Sequence, residues 1–162
     1  MHGTGPGDND DHTRTTNCRA PAAATIETYL KLGFKLIPGD GFLAAGVPAT
    51  PAALILALER FGTLRLQDVL EPAIYLAENG FAMYEALHNQ IVQMSERFTK
   101  EWPSSAQLFM PDGHPPAVGS VFRNPGLAET YKKLVEAEKS AGGDRSKGLR
   151  AAMERFYQGD IA

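Results

Sequence analysis

Residues 72–81 restrict the fold more than any other stretch, because their small and apolar side chains repeat at helical spacing. The residues on the shared face are Ala73, Leu76, Ala77 and Gly80. Side chains three or four positions apart lie on the same side of a helix. Pro72 suits the first turn, where its missing N–H is not needed, and Gly80 suits a left-handed position just after the helix. The stretch predicts a core helix that a neighbour approaches closely at its small residues.

Most of the remaining chain has the same helical periodicity, interrupted by proline and glycine. Helices are predicted over residues 22–32, 52–61, 66–80, 83–102, 125–141 and 149–157. A further short helix is expected to start at Ser104 or Ser105 and to end at Leu108 or Phe109. Residues 117–122 are expected to form a short strand that pairs with residues just before the turn at 110–116. The chain is therefore predicted to be mainly α.

Three of these helices carry patterns that predict burial. In helix 52–61 apolar residues lie almost all round until Glu59 and Arg60, which predicts deep burial. Helix 83–102 has a stripe formed by Leu87, Ile91, Met94 and Phe98. Helix 125–141 is predicted to start with Asn124 as its N-cap. Its buried stripe is expected to contain Leu127, Tyr131, Leu134 and Val135. Its solvent-facing residues are expected to be Lys132, Lys133, Glu136, Glu138 and Lys139, with an ion pair between Lys132 and Glu136.

Composition excludes several classes of protein. A chain of 162 residues is one domain or a piece of one. A net charge of −3 argues against a dedicated nucleic-acid surface. No apolar run is long enough to span a bilayer. The N-terminus lacks a signal-peptide pattern, so a complete chain is expected in the cytoplasm, whereas for a fragment the compartment stays open.

Few residues outside the helices point to chemistry, and each has a simpler explanation. Residues 1–16 are rich in glycine and aspartate and are expected to be a disordered tail without a metal site. Cys18 is the single cysteine and is expected to be a small buried hydrophobe rather than a nucleophile. His88 is expected to be hydrogen-bonded or solvated, and His114 to lie in a surface loop. No metal or cofactor is predicted.

Four sequence blocks, in order, carry a family resemblance. They are Gly46-Val47-Pro48-Ala49-Thr50 with the following helix to Leu64, residues 72–81, Asn124-Pro125-Gly126-Leu127-Ala128-Glu129-Thr130, and Phe156-Tyr157-Gln158-Gly159-Asp160-Ile161-Ala162. Together they resemble the large subunit of the gamma-glutamyltransferases (gamma-glutamyltranspeptidases), which are N-terminal-nucleophile hydrolases. The resemblance spans roughly residues 17–162 and implies that these residues are part of a large-subunit helical region. The family fold that it implies is an α+β four-layer αββα sandwich.

The resemblance also implies a reaction and a partner. Family members transfer or hydrolyse gamma-glutamyl or related amides through a threonine whose own α-amine acts as the base. That threonine opens a small subunit, which is expected to follow this chain. The expected substrate is a small-molecule amide, and no catalytic residue is assigned within residues 1–162. This chain alone is expected to be inactive.

One substrate-binding residue is implied by the family motif, in which an arginine, a glutamate and one further residue precede Ala-Pro. The arginine of that motif binds the glutamyl α-carboxylate. Alignment on Ala20-Pro21 places Asn17 at the position of that arginine, with Arg19 two residues later. A neutral amide does not replace a bidentate guanidinium. The departure favours relatives that hydrolyse other amides, such as acylase-like members. Arg19 is the candidate substrate-binding residue, and a surface arginine at the entry to a helix is the alternative.

Two other functions stay open from sequence. The first is a catalytically inactive, truncated helical interaction module, whose exposed apolar faces would favour association. The second is an independent helical bundle of unrelated function. The sequence that flanks this reading frame discriminates between an amidohydrolase and either alternative.

Overall fold

The computed structural model describes residues 21–162, and these are mainly helical, as predicted. The chain divides into two compact units, with the boundary between Thr63 and Leu64. The first unit contains helix α1 (Ile26–Lys31), a 3-10 helix (Phe42–Ala44) and helix α2 (Thr50–Phe61). The second contains α3 (Leu66–Asn79), β1 (Phe81–Ala82), α4 (Glu85–Lys100), α5 (Pro103–Phe109), β2 (Val121–Phe122), α6 (Pro125–Ser140) and α7 (Arg145–Gln158). The predicted disordered tail at residues 1–16 lies outside the described residues.

Helix α1 is shorter than predicted at its start. The hydroxyl of Thr25 accepts a hydrogen bond from the backbone N–H of Thr28 at 3.3 Å, so Thr25 is the N-cap and Ile26 the first helical residue. The predicted end is confirmed, because Gly33 follows the helix with a φ of 84°. A local side-chain cap thus overrode the helical propensity of the alanines before it.

Helix α2 has the predicted position, but the prediction that it is buried all round is wrong. Ala52 and Ile55 are buried, whereas Leu54 is 66% exposed and Phe61 is 86% exposed. A helix that is apolar all round needs a neighbour on every side. In the described part of the chain, other residues bury only one side of α2.

Helix α3 starts at Leu66, as predicted for a helix over residues 66–80. Pro72 therefore lies inside the helix and not in its first turn, where the pattern of residues 72–81 had placed it. The start is set upstream, where Asp68 Oδ2 accepts a hydrogen bond from the backbone N–H of Arg65 at 3.1 Å. Ala77 is the buried small residue of the predicted face, whereas Leu76 is exposed. Fewer side chains of α3 are therefore buried than the sequence pattern predicted.

Gly80 ends α3 and directs the chain into β1. Its φ of 90° and ψ of 170° place it in an extended region that is essentially restricted to glycine, rather than in the predicted left-handed helical region. The following two-residue strands pair antiparallel, with Phe81 opposite Phe122 and Ala82 opposite Val121. The strand predicted in residues 117–122 exists, but its partner follows α3 and does not precede the turn. The prediction failed because Phe122 pairs with a residue 41 positions away, which local turn signals do not encode.

An aromatic cluster holds β1, β2, α4 and α5 together. Its buried members are Met83, Ile91, Met110 and Phe122. Phe109 stacks between Phe98 and Phe122, with ring centroids 5.5 and 5.9 Å apart. Three of the four residues in the predicted stripe of α4, Leu87, Ile91 and Phe98, contribute to this cluster. Helix α5 starts at Pro103 with Trp102 as its N-cap, so the predicted serine cap is wrong; a proline in the first turn already provides a helical start.

Helix α6 packs against both α3 and α7. Its predicted cap is confirmed, because Asn124 Oδ1 accepts a hydrogen bond from the backbone N–H of Leu127 at 3.0 Å. Helix α7 begins four residues earlier than predicted, since Asp144 Oδ1 accepts a hydrogen bond from the backbone N–H of Lys147 at 2.8 Å. Among residues 21–162 no helix combines the length and apolar character needed to cross a membrane.

Candidate functional site

The substrate-binding residue predicted from the sequence, Arg19, lies outside the described residues, as do Asn17 and Cys18. The first described element after them is α1, which carries Tyr29. The Tyr29 hydroxyl donates a hydrogen bond to the carbonyl oxygen of Leu43 at 2.7 Å, which ties α1 to the 3-10 helix. The assignment of Arg19 to the substrate stays a prediction.

The second unit contains a surface pocket of about 550 Å³ between α5, the loop that follows it, β2 and the start of α6. Polar side chains that line it are Gln107, Asp112, His114, Ser120 and Arg123. Apolar lining comes from Leu108, Pro111, Val121, Phe122 and Pro125. Its volume lies within the range of small-molecule sites in proteins.

Two contacts fix the loop that forms one side of this pocket. His88 on α4 forms a 2.8 Å hydrogen bond through Nδ1 to the carbonyl oxygen of Pro116. The Ser120 hydroxyl donates to the carbonyl oxygen of Ala117 at 2.6 Å. The expectation that His88 is hydrogen-bonded is therefore confirmed, and its partner is a backbone carbonyl. His114 is exposed in the loop, as expected.

Glu138 is the buried charged residue of the second unit, and its predicted exposure to solvent is wrong. Its side chain is 3% exposed, and its carboxylate accepts hydrogen bonds from the backbone N–H groups of Leu66 at 2.9 Å and Gln67 at 3.2 Å. These two N–H groups open α3 and have no partner within their own helix. A carboxylate there also interacts favourably with the helix dipole. Glu138 therefore joins α6 to the start of α3.

An ion cluster joins α6 to the end of α7. Arg155 donates from Nη1 to Glu136 Oε2 at 2.6 Å and to the carbonyl oxygen of Lys133 at 3.0 Å. Asp160 accepts from Arg155 Nε at 2.8 Å and pairs with Lys133 Nζ at 2.9 Å. The predicted Lys132–Glu136 pair is wrong, because Glu136 pairs with Arg155. The same residues therefore serve contacts between helices rather than contacts along one helix.

Lys132 also forms its ion pair with another helix. Its ammonium group pairs with the carboxylate of Glu78 on α3. Both side chains are partly exposed, so the pair contributes little free energy by itself. The pair does, however, join α3 and α6 at a second point away from Glu138.

Hydrogen bonds within this cluster shift two pKa values. The guanidinium of Arg155 and the ammonium of Lys133 hold the pKa of Asp160 well below its usual value. The carboxylates of Asp160 and Glu136 raise the pKa of Arg155. Both directions favour the charged forms, so the cluster is expected to stay ionised at neutral pH.

Asp160→Asn is expected to lower stability at neutral pH and to lose this effect in acid. Because the pKa of Asp160 is lower in the folded chain, its contribution is fully present above the usual value of 3.8. It decreases progressively as the pH falls from there through the lower pKa of the folded chain. Urea unfolding of both proteins between pH 7 and pH 3 measures the difference. A difference in unfolding free energy that does not shrink below about pH 4 would contradict the assigned ionisation.

The described residues contain no group of three or more histidine, cysteine, aspartate or glutamate side chains arranged to hold a metal ion. Two threonines of the first unit lie at or next to the ends of α2. Thr50 is the first residue of α2, and Thr63 follows Gly62, which caps the same helix. Neither position identifies a nucleophile.

Two residues important for the second unit were missed by the sequence interpretation. Glu138 lies four residues after Leu134 and three after Val135, so helical spacing places it on the buried stripe. That spacing was the available signal, and its acidic side chain was assigned to solvent instead. Arg155 had no comparable signal, because its partners lie on α6 and beyond the end of α7.

The family model described as Gamma-glutamyltranspeptidase matches residues 8–162. The glutathione hydrolase proenzyme of Pseudomonas sp. (strain A14) is 31% identical over 147 residues, which cover 89% of this chain and 23% of that protein. The acylase ACY 1 proenzyme of Pseudomonas sp. (strain SE83) is 37% identical over 128 residues, covering 74% and 23% of the two chains. The crystal structure of Helicobacter pylori gamma-glutamyltranspeptidase is 31% identical with a TM-score of 0.71, covering 90% of this chain and 38% of that one. The chain thus spans about a quarter of the length of these curated relatives.

Proposed function

Because the chain belongs to the gamma-glutamyltranspeptidase family, we propose that residues 17–162 form part of the large subunit of an amidohydrolase. The enzyme would transfer or hydrolyse the acyl group of gamma-glutamyl compounds or of related small-molecule amides. The observation that carries this proposal is the family match over residues 8–162. The helical fold and its likeness to the Helicobacter pylori structure support it.

The catalytic step is assigned to a partner segment. The nucleophile would be an N-terminal threonine of a small subunit, with its α-amine as base and backbone N–H groups stabilising the oxyanion. Residues 17–162 would supply scaffold and substrate contacts rather than reacting atoms. The related glutathione hydrolase and acylase are both described as proenzymes, which fits a precursor that is cleaved into two subunits.

Residues 17 and 19 are the basis on which we infer the class of acyl donor. Arg19 would bind an acidic group of the substrate, two residues from the position that the family motif gives to its arginine. Asn17 at that position favours an amide other than a gamma-glutamyl one, because its side chain cannot form a bidentate ion pair with an α-carboxylate. The 37% identity to an acylase supports the same choice.

The experiment uses the complete reading frame that contains this chain. The flanking sequence is determined, the full-length protein is expressed, and its fragments are resolved by mass spectrometry and N-terminal sequencing. Cleavage into two chains, the second opening with threonine, is expected. Activity is then compared on gamma-glutamyl anilide and on acyl amides without an α-carboxylate, with Arg19→Met and Asn17→Arg beside the wild type.

The outcomes separate the family assignment from the substrate assignment. A reading frame without a threonine segment would overturn the amidohydrolase proposal in favour of the helical interaction module. Given an active enzyme, a preference for gamma-glutamyl anilide that Asn17→Arg does not increase would overturn the substrate assignment. Loss of turnover in Arg19→Met through a raised KM, with little change in kcat, is the result expected of a binding residue.

A further inference from the structure

The pocket of the second unit contains two oppositely charged side chains that do not pair with each other. Asp112 lies in the loop after α5 and Arg123 directly after β2, and both line the same cavity of about 550 Å³. Among residues 21–162, neither side chain forms a hydrogen bond or ion pair. The carboxylate of Asp112 and the guanidinium of Arg123 can therefore still accept and donate hydrogen bonds to a ligand in the pocket.

The pocket walls are apolar and fixed by the core beneath them. Phe122 is 7% exposed, and its ring stacks on Phe109 at 5.9 Å. Leu108 packs against the same aromatic cluster from α5. Since Ser120 already donates to Ala117 and His88 already binds Pro116, the loop does not need a ligand to hold its shape. A preformed apolar pocket with a few polar groups is typical of a small-molecule site.

We propose that this pocket binds a small zwitterion with an apolar side chain, a free amino acid or a short peptide. Arg123 would bind the carboxylate and Asp112 the ammonium group, each through a charge-assisted hydrogen bond. The apolar side chain would lie against Leu108, Val121 and Phe122. Gln107, whose side chain amide also has no partner among the described residues, would add a neutral hydrogen bond. The proposal assigns this pocket a binding function only.

The test measures binding of three matched probes to the full chain by isothermal titration calorimetry. The probes are L-phenylalanine, 3-phenylpropanoate, which lacks the ammonium group, and 2-phenylethylamine, which lacks the carboxylate. L-Phenylalanine is expected to bind more tightly than either analogue by up to about fivefold, the upper range for one exposed ion pair. Equal binding of all three would show an apolar crevice only and would overturn the proposal.

Two variants test which pocket residue binds the carboxylate of the ligand and which binds its ammonium group. Arg123→Met is expected to weaken L-phenylalanine binding about fivefold and to leave 2-phenylethylamine unchanged. Asp112→Asn is expected to weaken L-phenylalanine by a similar factor and to leave 3-phenylpropanoate unchanged. Arg60→Met removes an exposed cation outside the pocket and is the matched control, with no expected change.

Because all three substituted residues are exposed, folding of each variant is expected to match the wild type and is checked by its unfolding midpoint. Absence of L-phenylalanine binding to the wild type would overturn the proposal, and so would binding that neither pocket variant changes. These outcomes do not depend on amidohydrolase activity, so a failure here is distinguishable from a failure of the proposed function.

Discussion

Gly80→Ala is expected to destabilise the second unit by about 3 to 4 kcal/mol, the sum of backbone strain and steric overlap. The strain arises because the φ of 90° and ψ of 170° at Gly80 are essentially restricted to glycine. The overlap arises because an added Cβ would lie 2.4 Å from Val121 Cγ1 and 2.8 Å from the carbonyl oxygen of Phe122. The backbone oxygen belongs to the β1–β2 pair and cannot move without breaking it. Urea unfolding of the chain, followed by circular dichroism, measures the loss.

A matched glycine separates the two causes. Gly113 has a similar φ of 80°, but an added Cβ there would meet no atom within 4 Å. Gly113→Ala is therefore expected to lose only about 1 kcal/mol, from backbone strain. Equal effects of the two substitutions would contradict the steric part of the argument. Partial recovery in the double variant Gly80→Ala, Val121→Ala is also expected, because it removes the nearest overlapping methyl group.

Local signals predicted the helix ends that depend on one residue and its near neighbours. Asn124 followed by Pro125 predicted the start of α6, and the cap is present as expected. Gly33 and Gly80 predicted where α1 and α3 stop, and both have positive φ. Each of these ends is determined by a preference of the residue itself, so the sequence is sufficient to predict it.

Contacts between distant segments were the part that sequence reasoning could not predict. The strand at Val121–Phe122 was expected, but its pairing with Phe81–Ala82 depends on packing in the aromatic cluster. Lys132 and Glu136 satisfy the spacing rule for a pair within α6, yet each pairs with another helix. The spacing rule is weak, because an exposed pair of this kind is worth only about 0.2 to 0.5 kcal/mol. Any better-placed partner on a neighbouring helix replaces it.

The candidate sites also divide into those that the sequence predicted and those that depend on contacts between distant segments. The family blocks predicted the gamma-glutamyltranspeptidase family, and the match over residues 8–162 confirms it. Arg19 came from a motif and stays a prediction. The pocket with Asp112 and Arg123 had no sequence signal, because the turn at 110–116 and the end of β2 meet only after folding. Glu138 had a signal in its spacing, but the choice between core and solvent depended on two N–H groups about 70 residues away.

Glu138→Ala is expected to destabilise the second unit by about 3 kcal/mol, because it leaves two buried N–H groups without an acceptor and opens a cavity. The N–H groups of Leu66 and Gln67 would lose partners at 2.9 and 3.2 Å, and water reaches the site poorly, since Glu138 is 3% exposed. The cavity would also remove support for Gly148 of α7, where the two backbones are so close that an added Cβ would lie 2.9 Å from Glu138 Cγ. Chemical unfolding measures the total effect, and amide hydrogen exchange at Leu66 and Gln67 locates it.

Glu138→Gln separates charge from shape. The amide keeps the side-chain volume and one carbonyl acceptor, but its NH₂ group would face a backbone N–H that needs an acceptor. A loss of about 1 to 2 kcal/mol is expected, between that of the alanine variant and no effect. The control is Glu129→Gln, an exposed glutamate on the same helix, with an expected change within about 0.5 kcal/mol. If Glu138→Gln and Glu129→Gln behaved alike, the carboxylate would not be the acceptor that fixes α3 to α6, and the packing of Ala77 against that interface would have to hold the two helices together instead.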